Sequence, residues 1–385
     1  MRSSSGAGEG SQSVSGPPST EGAGLLKARI AAALQAAGGW LPFDRYMAMA
    51  LYEPGLGYYS RGAPVFGLMP QSGSDFVTAP EMSPLFGATL ARPVEEALDA
   101  AGADTIVEFG AGSGALAAQL LTALGPRVAR YRIVELSAAL RERQCATLAP
   151  WGERVDWLDA WPEAMRAVVI GNEVLDAMPV TLLRFDGQAW HERGVAWAGD
   201  ADGEGFVWAD RPTDLQPPHP GPYLPGTVTE IHPQAEAFVR GLAERLACGA
   251  AFFIDYGFPE AEYYHPQRTG GTLMCHRGHV ADADPLVDVG QKDITAHVNF
   301  SAVALAAQDA GLDVLGYTSQ ARFLYNAGFA GLLHEASLPT RAMAARLVNE
   351  HEMGELFKVL MLGRGLQFGA EGPLGSAAGD RSHRL

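Results

Sequence analysis

Cysteine, basic charge and long apolar runs are all scarce in this sequence. The three cysteines stand far apart and form neither a disulfide framework nor a metal-binding spacing. Lys and Arg total 28 against 44 Asp and Glu, so the formal net charge is −16. This balance argues against nucleic acid as a partner, because phosphate binding needs clustered basic residues. No apolar run approaches the roughly 18 residues that span a bilayer, so we expect no membrane segment.

The amino-terminal residues are also poor in apolar and basic side chains. They are rich in Ser, Gly and Pro and lack the pattern of a signal or of a basic amphipathic presequence. We therefore expect a bacterial cytoplasmic protein, with the mitochondrial matrix as the alternative. The composition predicts a disordered tail at 1–24, a helical amino-terminal segment at 25–104, a core at 105–367 and a flexible tail at 368–385. Within the core, insertions are expected at about 178–230 and 257–300.

A regular alternation of short β-branched runs and helical patterns begins at Thr105. It continues to Gly171 as strand, helix, strand, helix, strand, strand, and this order is typical of a parallel sheet covered on both faces. After Asn172 the pattern changes to hairpin strands separated by Asp-Gly and Gly-Asp turns. The alternation resumes with the apolar strand Ala250–Asp255. These observations predict an α/β fold with a doubly wound, mostly parallel sheet.

Three glycines follow the first strand of this alternation and open the next helix. Gly110, Gly112 and Gly114 form a turn that lets backbone approach a ligand closely. Their spacing departs from the dinucleotide fingerprint, and Glu108 directly before them would repel a pyrophosphate. A carboxylate beside a sulfonium or an amino group is favourable, so the turn favours a cationic nucleoside over NAD. Glu135 ends the next strand, where an acidic residue can accept hydrogen bonds from ribose hydroxyls.

A second polar cluster follows the fourth strand at the ligand-binding edge. Glu173 and Asp176 stand three residues apart and would share one face if a helical turn began there. Paired carboxylates suit a guanidinium acceptor, which they can orient and deprotonate. Asn172 beside them is a candidate for orienting the ligand. His297 is a candidate acid or base, with a hydrogen-bonded structural histidine as the alternative.

A closer resemblance rests on several motifs that occur in a fixed order. They are Tyr52-Glu-Pro-x-x-Gly-Tyr-Tyr59, Asp75-Phe-x-Thr-x-Pro-Glu-x-Ser-x-Leu-Phe86, the Glu-x-Gly-x-Gly-x-Gly turn, Gly171-Asn-Glu-x-x-Asp-Ala-x-Pro179, Asp255-Tyr-Gly257 and Asp293-Ile-Thr-x-His-Val-x-Phe300. Together they resemble the MidA family of class I S-adenosylmethionine-dependent methyltransferases, which includes a mitochondrial complex I assembly factor that methylates an arginine of a complex I subunit. The resemblance covers roughly residues 25–365.

The resemblance implies a fold, a cofactor and a set of site residues. The fold would be a seven-stranded Rossmann-like sheet with an antiparallel last strand, a helical amino-terminal segment and an inserted hairpin and loop cap. S-adenosylmethionine would be the donor, with S-adenosylhomocysteine as product, and a protein arginine, of a complex I subunit or similar, the acceptor. The implied cofactor residues are Asp75, Phe76, Glu108, Gly110, Gly112, Gly114, Glu135, Asp159 and Asn172, and the candidate catalytic residues are Glu173, Asp176 and His297.

Some alternatives remain open from sequence alone. Asp159, assigned to the adenine by the resemblance, can equally be an exposed loop carboxylate. A non-catalytic assembly factor that keeps the methyltransferase fold is the alternative function. His276 and His279 invite a metal site, but no second cluster has ligand spacing, so we expect no metal. The sequence is compatible with a monomer or a homodimer.

Overall fold

The computed structural model describes residues 20–61, 77–200, 203–369 and 372–385. Two predicted cofactor residues, Asp75 and Phe76, lie outside the described residues. Within the described ranges the chain forms a large central sheet, a second antiparallel sheet and a small three-stranded sheet.

The elements before the central sheet are mostly helical. The apolar positions of the second helix recur at helical spacing and are buried, from Phe43 through Tyr46 and Met47 to Leu51. The last of these helices ends at Gly102, whose φ of 56° forms a left-handed cap. The elements are α1 (Thr20–Ala36), β1 (Trp40–Pro42), α2 (Phe43–Tyr52), α3 (Ala79–Met82) and α4 (Leu85–Ala101).

The predicted alternation of strands and helices follows. Its elements are β2 (Thr105–Phe109), α5 (Ala115–Leu124), β3 (Arg130–Val134), α6 (Ala138–Leu148), β4 (Val155–Leu158) and β5 (Met165–Asn172). Short 3-10 turns lie at Gly125–Arg127 and Ala149–Arg154. The chain then enters antiparallel hairpins, as the Asp-Gly turns indicate: β6 (Thr181–Phe185), β7 (Trp190–Asp200), β8 (Gly203–Pro212) and β9 (Val228–Ile231). These strands and β1 form a five-stranded sheet in the order β1-β7-β6-β9, with β8 beside β7.

The remaining chain completes the central sheet. Its elements are α7 (Pro233–Arg245), β10 (Leu246–Phe258), α8 (Glu260–Tyr263), β11 (Met274–Arg277), β12 (Val280–Asp282), β13 (Asp293–Thr295), β14 (Val298–Asn299), α9 (Phe300–Asp309), β15 (Asp313–Ser319), α10 (Gln320–Asn326), α11 (Phe329–Glu335), α12 (Leu338–Ala345) and β16 (Phe357–Arg364). A π-helical turn at Glu350–Gly354 precedes the last strand. The polar insertion after β10 therefore contains one short helix and four short strands, where periodicity alone indicates a loop.

The central sheet has eight strands. Seven follow the order β15-β16-β10-β5-β2-β3-β4, and the two-residue β14 lies beside β10. The pairs β10–β5, β5–β2, β2–β3 and β3–β4 are parallel, whereas β16 is antiparallel to both β10 and β15. The structure thus confirms the predicted mixed, mostly parallel sheet. Because β2, β3, β5 and β10 run the same way, their carboxyl ends meet at one edge.

The two faces of this sheet pack on separate apolar clusters. Alternating residues of one strand divide between them, so that Ile106 enters one cluster and Val107 the other. Helices α4 and α5 cover the first face, and α7 and α9 cover the second. Helices on both faces explain why the central strands are nearly continuous apolar runs. A third cluster joins α1 and α2 to the hairpin sheet.

The carboxyl-terminal residues differ from the flexible tail that the sequence predicts. Residues 372–385 contain two 3-10 turns and pack beside β15, where Asp380 accepts a hydrogen bond from the Tyr317 backbone N–H at 2.9 Å. Arg381 pairs with Glu355, and Leu385 packs against the second apolar cluster. The Gly- and Ser-rich composition does not indicate these contacts, because they depend on residues far away in the sequence.

Candidate active site

The glycine turn is the first wall of a large cavity at the carboxyl edge of the sheet. Gly110, Gly112 and Gly114 have φ values of 63°, 55° and 84°, a region that favours glycine. A Cβ on Gly110 would lie 3.0 Å from the Val174 side chain. The turn therefore passes close to the loop after β5 and presents backbone to the cavity.

Glu108, just before the turn, is buried in β2 and lines the cavity. Tyr131 on the neighbouring strand donates a hydrogen bond to its carboxylate at 2.7 Å. Burial raises the pKa of Glu108 to about 7, although the Tyr131 hydrogen bond acts in the opposite direction. A cationic ligand in the cavity would favour the ionised form of Glu108.

Glu135 lies at the end of β3, also on the cavity wall. One carboxylate oxygen accepts the Ser137 backbone N–H at 2.8 Å, and the other accepts Gln144 Nε2 at 3.0 Å. Burial raises its pKa above the usual range. Gln144 also donates to the Gly112 carbonyl at 3.1 Å, so it ties Glu135 to the glycine turn. The sequence reasoning missed Gln144, whose only signal is a polar residue on the buried face of α6.

Asp159 does not join this wall. It is exposed, lies outside the residues that line the cavity, and accepts a hydrogen bond from Arg141 at 2.6 Å. Two residues later, Trp161 does line the cavity, and its ring lies 4.6 Å from Phe109 and 4.7 Å from Phe238. The structure therefore offers an aromatic surface, rather than the Asp159 carboxylate, at this end of the cavity.

The loop after β5 forms the second wall. Glu173 and Asp176 both line the cavity, but no helical turn begins at Glu173, so the condition for a shared helix face is not met. Glu173 has a φ of 54°, which lies outside the right-handed helical region. Asn172 donates to the Glu173 carboxylate at 3.0 Å and is itself part of the wall.

Burial shifts both carboxyl groups of this wall in the same direction. The pKa of Glu173 is raised to about 8, first by desolvation and then by the charge of Asp176. Desolvation raises the pKa of Asp176 to about 6, against the effect of a hydrogen bond with Tyr256. Two carboxyl groups with raised pKa values on one cavity wall are typical of functional sites.

His297 lies on the segment that links β13 to β14 and lines the same cavity. Its ring stacks on Phe258 at 5.3 Å and meets Tyr256 edge-on at 5.0 Å. Burial lowers the pKa of His297 to about 4, so the ring is neutral at pH 7. Its backbone N–H donates to Thr272 Oγ1 at 3.1 Å.

The amino-terminal segment also supplies residues of the cavity. Tyr52 and Tyr59 line the cavity with their rings stacked at 5.6 Å. The Tyr52 hydroxyl donates to the Ala177 carbonyl, and the Tyr59 hydroxyl donates to Asp293, both at 2.8 Å. Tyr58, by contrast, is buried in the third apolar cluster. Asp293 is a further buried carboxylate of the cavity that the motif contained without an assigned role.

The cavity has a volume of about 990 Å³, at the upper end of the usual range for ligand sites. Among its described lining residues there are six carboxylates and neither Lys nor Arg; the carboxylates are Glu81, Glu108, Glu135, Glu173, Asp176 and Asp293. Such a wall attracts cations and repels phosphate groups. His276 also lines it, while the described ranges contain no cluster of three or more residues that could hold a metal ion.

No helix within the described ranges has the length and apolar character needed to cross a bilayer.

Comparisons with known proteins agree with this geometry. A family model for S-adenosyl-L-methionine-dependent methyltransferases matches residues 89–318. Among curated proteins, the mitochondrial protein arginine methyltransferase NDUFAF7 of Danio rerio is 28% identical over 81% of each chain. Human NDUFAF7 is 26% identical over 82% of this chain and 78% of its own length.

Two solved structures are similar over nearly the whole chain. A Burkholderia thailandensis protein bound to S-adenosyl-homocysteine superposes with a TM-score of 0.91 and 51% identity, covering 97% of this chain and all of its own. A second crystal structure from the same bacterium gives a TM-score of 0.87 and 50% identity over the same shares. The motif resemblance is thereby confirmed, and the chain belongs to the family of S-adenosyl-L-methionine-dependent methyltransferases.

Proposed function

We propose that this protein methylates an arginine side chain of a protein acceptor, and that the acceptor is a complex I subunit or a similar protein. The names of the curated relatives support arginine as the methylated residue. The chemistry of the cavity supports it independently.

The observation that carries the proposal is a set of buried polar atoms without hydrogen-bond partners, of which the Asn172 and Asp176 oxygens are acceptors. Within the described structure, Asn172 Oδ1, Asp176 Oδ1 and His297 Nδ1 have no hydrogen-bond partner, and all three residues line the cavity. Buried polar atoms are normally satisfied, so these atoms indicate a ligand rich in donors. A guanidinium has five N–H donors and no acceptor. It complements the acid-rich wall in both charge and hydrogen bonding.

The glycine-turn wall fits the methyl donor. When bound, S-adenosylmethionine supplies the electrophilic methyl group. Gly110 and Gly112 leave room for its close approach, and Glu108 offers a negative charge beside its cationic groups. Gly114 opens the helix behind the turn, and Glu135 would accept bonds from the ribose. We assign Asn172 to the cofactor site as well, since it lines the cavity and donates a hydrogen bond to Glu173.

Glu173 and Asp176 would hold the guanidinium and direct one nitrogen at the donor methyl. The nitrogen–methyl bond would form as the sulfur–methyl bond of the donor breaks, which leaves S-adenosylhomocysteine, and that nitrogen would lose one proton to the protein. We assign Glu173 as the first acceptor of this proton, because a pKa of about 8 matches a general base working near neutral pH. Neutral His297 faces the same cavity and would accept a hydrogen bond from the substrate.

We also propose that residues 25–104 form a unit that closes the cavity over the core at 105–367. The support is that Tyr52 and Tyr59 reach from this segment to Ala177 and Asp293 of the core. The same hydrogen bonds would order the wall on which the acceptor rests.

The test uses tritiated S-adenosylmethionine and two peptide pools, in which each peptide carries one arginine or one lysine in matched sequence contexts. We expect methyl transfer to the arginine pool and none to the lysine pool. A complementary measurement compares methylarginine sites by mass spectrometry in source cells with and without the gene. Transfer to lysine, or an unchanged set of methylarginine sites, would contradict the proposal.

A further inference from the structure

The carboxyl end of β10 carries a buried carboxylate that does not line the cavity. Asp255 is fully buried, and its Oδ2 accepts the backbone N–H groups of Leu175 at 2.9 Å and of Asp176 at 3.2 Å. Its Oδ1 accepts the backbone N–H of Tyr256 at 3.0 Å. The side chain thus accepts three hydrogen bonds from backbone donors, two of them from the loop after β5. It can act on a ligand only through that loop.

This loop depends on β10 for its conformation. It forms no helical turn, and Glu173 lies in the left-handed region that a non-glycine residue rarely adopts. Such a conformation persists only when the surroundings hold it. Besides the Asp255 bonds, the Glu173 N–H donates to the Ile254 carbonyl at 2.8 Å. On the other side, the Asp176 carbonyl accepts the Ala296 N–H at 3.0 Å, next to His297.

Asp255 binds the backbone N–H of Asp176, whereas Tyr256 acts on the Asp176 side chain. The Tyr256 hydroxyl interacts with the Asp176 carboxyl group and lowers the pKa of that group. Its ring is fixed by edge-on contacts with His297 at 5.0 Å and Phe357 at 5.4 Å. Two adjacent residues of β10 therefore hold both the backbone and the carboxylate of Asp176.

We propose that Asp255 and Tyr256 are positioning residues for the acceptor, which set the place and orientation of Asp176 and of the loop that carries Glu173. This inference rests on the proposed function, because it assigns the loop to acceptor binding. It predicts that substitutions of Asp255 or Tyr256 impair the alignment of the acceptor and leave S-adenosylmethionine binding unchanged. If the Glu173 and Asp176 carboxylates are displaced, the guanidinium that they hold loses its alignment with the donor methyl. Misplacement by about 1 Å can lower a rate about 10²-fold.

The kinetic test is Asp255→Asn, measured with tritiated S-adenosylmethionine and the arginine peptide pool. The amide keeps the volume of the carboxylate but must direct an N–H₂ group at a backbone N–H. We expect kcat to fall about 10²-fold, while calorimetric S-adenosylmethionine affinity stays within about twofold. Asp186→Asn is the matched control, since Asp186 also accepts two backbone N–H bonds but lies in a hairpin turn away from the cavity.

A double-mutant cycle tests whether Asp255 acts through the loop. If it does, Asp255→Asn adds little to the loss already caused by Asp176→Asn. Fully additive losses in the double variant would overturn the assignment. So would a kcat unchanged in Asp255→Asn while S-adenosylmethionine still binds.

A second variant gives a readout that needs no acceptor. Tyr256→Phe removes only the hydroxyl, and because its hydrogen bond lowers the pKa of Asp176, we expect that pKa to rise. The pKa is followed by ¹³C NMR of protein labelled at its aspartate carboxyl carbons, with Asp176→Asn for assignment. The groups that face Asp176 and enter the titration are Tyr52, Tyr59, Glu173, Asp255 and Tyr256.

The two proposals fail in different ways. If the unmodified protein transfers nothing to the arginine pool, the proposed function fails, while the NMR titration still tests the positioning of Asp176. An Asp176 pKa that does not move in Tyr256→Phe would overturn the role of Tyr256 whatever the acceptor is.

Discussion

The two walls of the cavity are built in different ways. The wall that we propose for the methyl donor, the donor wall, comes from one strand-turn-helix unit, with Glu108 and the glycine turn only a few residues apart, and from the end of the adjacent strand at Glu135. The wall that we propose for the acceptor, the acceptor wall, combines the loop after β5, the end of β10, the segment around His297 and the amino-terminal Tyr52 and Tyr59. One wall is local in sequence, whereas the other is assembled from four distant segments.

Because the two walls are built differently, substitutions in them should affect different properties of the protein. The donor wall relies on the backbone conformation of its glycine turn, which few residues other than glycine can adopt. The acceptor wall relies on side-chain charge and hydrogen bonding, so its members can be altered while the donor still binds. Variants of the two walls should therefore separate cofactor affinity from methyl transfer.

The largest effect is expected from Gly112→Val in the donor wall. A β-branched residue at a φ of 55° is strained, and its side chain would enter the cavity. We expect S-adenosylmethionine affinity, measured by calorimetry, to fall at least about 100-fold and methyl transfer to become undetectable. Gly102→Val is the matched control: it has a φ of 56°, no atom lies within 4 Å of its added Cβ, and it lies outside the cavity lining. Equal losses of affinity in both variants would show that backbone strain alone is responsible.

The next effect concerns the acceptor wall. Glu173→Gln removes a carboxylate that would bind the guanidinium and accept its proton, so we expect kcat to fall about 10²- to 10³-fold. S-adenosylmethionine affinity should stay within about twofold, since donor binding depends on the other wall. Glu163→Gln, at an exposed position, is the control for the chemical change itself. Full activity of Glu173→Gln would remove Glu173 from the mechanism.

The pH dependence of kcat/KM distinguishes the acidic groups from His297. If ionised Glu173 and Asp176 hold the acceptor, kcat/KM falls as the pH decreases through their pKa values of about 8 and about 6. The expected slope is about tenfold per pH unit between these values, and it steepens below the lower one. If neutral His297 were the only group required, the fall would begin near its pKa of about 4. Rates at saturating S-adenosylmethionine from pH 4 to 9 decide between these groups.

The smallest effect is predicted for Asp159, which lies outside the donor wall. Asp159→Asn should change S-adenosylmethionine affinity by less than about twofold, because Asp159 is exposed and lies outside the cavity. Glu135→Gln should lower S-adenosylmethionine affinity about tenfold, which is the usual scale of one hydrogen bond to a charged group. Calorimetry of the two variants side by side measures this contrast. A large loss in Asp159→Asn would mean that the bound protein brings Asp159 to the ligand.

Sequence reasoning predicted the donor wall better than the acceptor wall. The glycine turn and Glu135 follow from strand and helix boundaries, which local periodicity reveals. Whether a helical turn begins at Glu173 was open from the sequence, and none does, because the conformation of this loop is held by hydrogen bonds to β10, 80 residues further along. Gln144, Trp161 and Asp293 carried no assigned role, since nothing in their local patterns shows which face meets the cavity.

The sequence by itself determined the α/β alternation, the glycine turn and the acidic character of the site, because these depend on residues that are neighbours in the chain. Tertiary structure alone decided that Asp255 holds the Glu173–Asp176 loop, that Asp159 stays outside the cavity and that Tyr52 and Tyr59 complete its wall. The physical reason is that burial and hydrogen-bond partners depend on distant segments. Those same distant contacts raise the pKa of Glu173 and lower the pKa of His297, and so give each group its chemistry.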